Sequence, residues 1–104
     1  MYAVISPSAF PKISKIMGEL SGFTFYITTY GVSYALSRGI DIDSILDRGI
    51  KVRAFSHNFR PIEGLDMPES EAILVARELN SVLVTSDENV KKAAEKEGVK
   101  VLMI

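Results

Sequence analysis

At 104 residues, 47% hydrophobic and 24% charged, the chain has the size and composition of one compact domain spanning 1–104, and its net charge of -1 excludes an overall basic field for nucleic acid, leaving only a local patch. The absence of cysteine excludes a disulfide scaffold, a cysteine nucleophile and a thiolate zinc site, and it fits a cytoplasmic location. No apolar run approaches the roughly 20 residues of a membrane helix and MYAVISPSAF lacks the basic start of a secretory signal, so no membrane contact is expected; the lack of glutamine is a thermophile-like trait.

YAVIS, Tyr2 to Ser6, is β-branched and apolar and reads as a buried strand. Ser6, Pro7, Ser8 and Pro11 supply helix-start chemistry, and Ile13, Ile16, Met17 and Leu20 then recur at helical spacing up to Gly22. FTFYITT alternates aromatic and β-branched residues, a second strand. YGVSYALSRG forms a short helix closed by Gly39, and DIDSILDRG another, capped by Asp41 or Asp43 and stopped by Gly49. IKVRAF is a weaker strand, and SHNFRPIEGLDMP, with two prolines and a glycine, an irregular loop. ESEAILVARELN is a helix with Ala72, Ile73, Ala76 and Leu79 on one face. SVLVT is a strand, ENVKKAAEKEG a helix with Val90, Ala93 and Ala94 inward, and VKVLMI the closing strand. Strands alternating with helices imply an α/β fold, three layers α/β/α around a mainly parallel central sheet. Ligands bind such sheets beyond the carboxyl ends of the strands. Ser6, Thr28 to Tyr30 and Thr85 to Asp87 all fall there.

Two acids open helices near that edge. Asp87 either caps its helix or holds a metal ion. Glu69 lies three residues after Asp66, an arrangement related to the capping box, and has the same two readings. Glu71 points elsewhere on the helix. His57 lies among Lys51, Arg53, Arg60, Phe55 and Phe59, a mixture that either holds a single strand by charge and stacking or folds its rings inward. One histidine alone gives no metal signal. Ser6 and Ser8 have no nucleophile elbow around them and read as turn and cap residues. The isolated glycines make no phosphate-cradling motif.

Leu65 to Ile104, about 40 residues, resembles the PIN-domain family of metal-dependent ribonucleases, which includes toxins of toxin–antitoxin pairs and rRNA-processing enzymes. In that family an acid starts an Ala- and Leu-rich helix, followed by a strand, a Thr-x-Asp turn, a helix ending in Gly and a final strand. Glu69, EAILVAREL, VLVT, Asp87, Gly98 and VKVLMI stand at those places, and ISPSAF is similar to the family's opening turn. The resemblance implies a PIN-like fold, with Glu69 and Asp87 as catalytic and metal-ligating acids for Mg²⁺ or Mn²⁺. Ser6, Thr85 and Ser86 would give polar support. Its implied partners are RNA, an antitoxin-like protein and a second copy of the chain. Two family acids are missing: Ser6 stands in the place of one and Tyr34 or Ala35 in that of the other, and the middle of the chain is short. The expectation is therefore a degenerate, shortened member with weak or no cleavage of RNA. The alternative is a non-catalytic module that binds RNA or protein.

Overall fold

The computed structural model describes residues 1–104. Five strands, β1 (Tyr2–Ile5), β2 (Thr24–Thr28), β3 (Lys51–Arg53), β4 (Val82–Thr85) and β5 (Val101–Met103), form one sheet in the order β3-β2-β1-β4-β5. Every pairing is parallel, with Val4 opposite Tyr26 on one side and Leu83 on the other. All carboxyl ends therefore lie on one edge. The helices are α1 (Ile13–Glu19), α2 (Thr29–Ser37), α3 (Ile42–Asp47), α4 (Met67–Leu79) and α5 (Glu88–Lys96).

Parallel strands covered on both faces must be apolar on both, and β1 is: Ala3, Val4 and Ile5 are all fully buried. Ala3 and Ile5 join Phe25, Ile27 and Val84 in one core, under Phe10, Ile13, Ile16, Ala35 and Ile45. Val4 and Leu83 point to the other face, where Ala72, Ile73 and Ala76 of α4 and Val90 and Ala94 of α5 cover them. Sheet periodicity of two thus separates the two cores and gives the expected three layers.

The segment after β1 differs from the expected single helix. Pro7–Lys12 is a 3-10 turn, and α1 begins only at Ile13. Pro11 lies inside this turn and has no N–H to donate to a continuous α-helical ladder. Elsewhere the caps match the expected chemistry. Thr28, Asp41, Asp66 and Asp87 each accept a backbone N–H of the helix that follows. α4 closes on Asn80 in the left-handed region, at φ 51°, a conformation asparagine tolerates.

Candidate functional site

Because β1 and β4 are adjacent and parallel, the residues just beyond them meet. Ser6, Ser8 and Thr85 bring three hydroxyls into a ring: Ser6 Oγ donates to Thr85 Oγ1 at 2.9 Å, Ser8 Oγ lies 2.9 Å from Thr85 Oγ1, and Ser6 and Ser8 are 3.0 Å apart. Once Ser6 donates to Thr85, the remaining protons can circulate from Thr85 to Ser8 and from Ser8 to Ser6. Backbone donors add to the ring, Ser86 N–H to Ser8 Oγ and Asp87 N–H to Thr85 Oγ1, each at 3.2 Å. The Ser6 carbonyl accepts the Ala9 N–H at 2.9 Å, but its hydroxyl makes no cap bond to the turn it precedes. Its backbone thus opens the turn as expected, while its hydroxyl serves this long-range contact instead of a cap. Ser6 and Thr85 are completely buried.

Glu69 faces the ring from the first turn of α4. Asp66 Oδ1 accepts the Glu69 N–H at 2.9 Å, half of the capping-box arrangement. The reciprocal half is missing, because the Glu69 carboxylate reaches across to the 3-10 turn after β1. Its Oε2 accepts the Ser8 N–H at 3.3 Å, and its Oε1 is buried with no partner. Burial raises the carboxyl pKa from 4.5 to about 7, and the negative charge of Asp66 adds to the rise. The Ser6 hydroxyl and the Ser8 N–H oppose it, and the Asp87 charge adds a smaller upward push. Since the single Ser6 proton goes to Thr85, the Ser8 N–H is the firmer of the two opposing contacts.

Asp87 turns back onto its own helix. Its Oδ1 accepts from Asn89 N at 2.7 Å and from Val90 N at 3.2 Å. The Ser86 hydroxyl donates to the Ile104 carbonyl at 3.1 Å. The structure thus brings Ser6, Thr85 and Glu69 together with Asp87 at the rim, while Ser86 contributes its N–H but directs its hydroxyl to β5. No group of three or more His, Cys, Asp or Glu side chains is arranged to hold a metal ion. The orphaned Glu69 oxygen could still ligate a hydrated Mg²⁺, which takes one or two carboxylates. On α2, Tyr34 packs edge-on against Phe10, with centroids 6.0 Å apart, and carries the Arg38 guanidinium on its ring, while Ala35 is fully buried in the core. Neither place offers an acid.

Glu71 is the residue that sequence reasoning undervalued. It is 2% exposed. Its carboxylate accepts from Thr29 Oγ1 at 2.9 Å, Tyr30 N at 2.8 Å and Phe55 N at 3.3 Å, so α4 pins the start of α2 and the segment after β3. A signal was present: AILVA leaves that part of α4 no polar face, so an acid beside it is buried and must find donors. A surface cavity of about 500 Å³, lined by Met1, Tyr2, Phe23 and Val99 among others, includes no carboxylate and lies apart from this chemistry.

No protein-family model and no curated protein matches the chain. Among solved structures it is similar to a PilT N-terminus domain protein from the hyperthermophilic archaeon Sulfolobus solfataricus P2. The two are 51% identical with a TM-score of 0.92, over 99% of this chain and 87% of that one. A domain of a functionally unknown protein from Methanocaldococcus jannaschii DSM 2661 superposes with a TM-score of 0.68 at 21% identity, over 99% of this chain and 90% of that one, a likeness of fold alone.

Proposed function

The chain belongs to the PilT N-terminus (PIN) domain family, and from that premise we propose that it is a shortened, degenerate member with weak or no cleavage of RNA phosphodiesters. The observation that carries this reading is the neutral hydroxyl ring of Ser6, Ser8 and Thr85 beside Glu69. It stands where the resemblance calls for a further acid. Two carboxylates about 4 Å apart repel by roughly 4 kcal/mol at an effective dielectric of about 20. Replacing one acid by hydroxyls removes that repulsion and with it much of the pull on a divalent cation.

Glu69 and Asp87 are the residues that would hold Mg²⁺ or Mn²⁺. When bound, such an ion supplies Lewis acidity and neutralises phosphodiester charge. Glu69, with a pKa of about 7, holds or releases a proton close to neutral pH, and the Ser8 N–H donates to its Oε2. The capping bonds of Asp87 support the alternative reading, a non-catalytic module that binds RNA or a protein partner.

Mn²⁺ binding followed by electron paramagnetic resonance, alongside cleavage of single-stranded RNA by rigorously purified protein, tests the proposal. The expected result is binding on the order of millimolar, as suits a site with few charged ligands, weakened by Glu69→Gln and Asp87→Asn, with little or no turnover. Multiple-turnover, metal-dependent cleavage that disappears in both variants would falsify the degenerate reading. No Mn²⁺ binding sensitive to either variant would leave only the non-catalytic one.

A further inference from the structure

The segment between β3 and α4, together with Tyr30 of α2, carries a feature that the acidic pocket does not use. Four rings run in a line, Tyr30–Phe59–Phe55–His57, each edge-on to the next, with centroids 6.0, 5.7 and 5.7 Å apart. The inner two are half-buried, whereas the two ends, Tyr30 at 41% and His57, are exposed. A loop that only folded its aromatics inward would cover the ends as well. The backbone beneath the line is fixed from another helix: buried Glu71 accepts the N–H of both Tyr30 and Phe55.

Charge adds a second, independent observation. Residues 51–60 contain Lys51, Arg53 and Arg60 and no acid, in a chain of net charge -1. Arg53 is drawn to Glu78 at 3.8 Å, but Lys51 and Arg60 form no ion pair. The line follows β2 and β3, on the same edge of the sheet as the Glu69 pocket beyond β1 and β4. At about 4.8 Å per strand the separation is about 10–15 Å, a few nucleotides.

We propose that the aromatic line from Tyr30 to His57, with Lys51 and Arg60, is a binding subsite for single-stranded RNA. Bases stack on the two exposed rings, and phosphates pair with the two free cations. Stacking on aromatic rings with cations alongside is how single strands are held without sequence reading. The free cations favour RNA over a protein partner, for which an uncharged patch would serve as well. The proposal deepens the RNA-directed reading above and rests on it, but its test needs no cleavage.

Fluorescence anisotropy of a labelled, unstructured RNA of about 12 nucleotides, titrated with the full chain in chelator, reads binding alone. Tyr30→Ala and His57→Ala are each expected to weaken binding about tenfold. Lys51→Ala with Arg60→Ala should flatten the plot of log affinity against log salt by about 1.4, the share of two phosphate contacts on a single strand. Lys96→Ala on α5 should change nothing, and circular dichroism confirms that each variant folds. Wild-type binding in Tyr30→Ala, His57→Ala and the Lys51/Arg60 pair alike overturns the proposal. So does a change confined to self-association, seen by sedimentation, which would make the patch a protein contact. Mn²⁺ binding at Glu69 is read separately, so loss of the subsite and loss of the metal reading are distinguishable.

Discussion

Asp87 caps its helix and, on the proposed reading, also ligates an ion; one substitution separates the two. Asparagine caps a helix about as well as aspartate, whereas alanine does not. Asp87→Asn is therefore expected to keep the bonds to Asn89 N and Val90 N and to leave unfolding unchanged, while Asp87→Ala loses about 1 kcal/mol in a urea titration. Mn²⁺ affinity should fall in both, since only the charge is common to the two losses. An Asn variant that binds Mn²⁺ like the parent would remove Asp87 from the ligand set. Glu69 makes a pH prediction. Its folded pKa, about 7, lies above the ordinary 4.5, so between these values the folded state holds a proton that the unfolded state has lost. Stability from this group is fully present below about 4.5 and is lost as pH rises through about 7. The whole shift corresponds to at most about 3 kcal/mol, and solvent screening of a partly exposed side chain reduces it to about 1–2. Glu69→Gln should flatten this decline, seen as equal denaturation midpoints across that window; an unchanged slope would place the titration elsewhere. Ser6→Asp is the converse experiment. It puts a charge at the fully buried Ser6 position and should lower the melting temperature without metal, yet on the proposed reading tighten Mn²⁺ binding about tenfold by adding a third carboxylate.

Between elements, the decisive contact is the one from α4 to the start of α2 and the segment after β3. Glu71→Ala would leave Tyr30 N, Phe55 N and the Thr29 hydroxyl without their acceptor. The expected loss is about 2–4 kcal/mol in unfolding free energy, the usual result of leaving two or three partly buried neutral donors unsatisfied. Glu71→Gln, which keeps an acceptor oxygen, should lose less, and hydrogen exchange at Tyr30 and Phe55 should speed up in both. Protection unchanged at those two amides would mean that the loop is held by its ring contacts alone. The same element shows what could be read from the sequence and what could not. Alternating strands and helices, with caps at Asp66 and Asp87 and stops at Gly39 and Gly98, are local signals, and they led directly to the parallel sheet. The meeting of Ser6 with Thr85 spans 79 residues and depends on β1 lying next to β4, a pairing that local periodicity does not carry. Sequence spacing brought Glu69 to the candidate site, but the half-made capping box disguised where its carboxylate goes. Glu71 stayed hidden for a related reason: its partners lie 41 and 16 residues away, on two segments whose approach only the folded sheet creates.

For the molecule as a whole, the separation of site from core governs how it responds to metal. Its two hydrophobic cores lie on opposite faces of the sheet and the hydroxyl ring satisfies its own polar atoms, so only the buried Glu69 Oε1 is left for an ion or a proton to satisfy. A structural metal site behaves otherwise, because there the binding free energy is folding free energy and chelators denature the protein. Chelator should accordingly leave the thermal midpoint of this chain unchanged. On the proposed reading, added Mn²⁺ should stabilise only by mass action at the Glu69 pocket, about 1.4 kcal/mol when the free ion stands at about ten times its dissociation constant. That increment should vanish in Glu69→Gln while the midpoint without metal stays folded and cooperative. Differential scanning calorimetry with and without chelator makes the measurement. A chelator-induced drop of many degrees would show that the ion belongs to the fold, and the weak two-carboxylate site would then have to be replaced by one with more ligands.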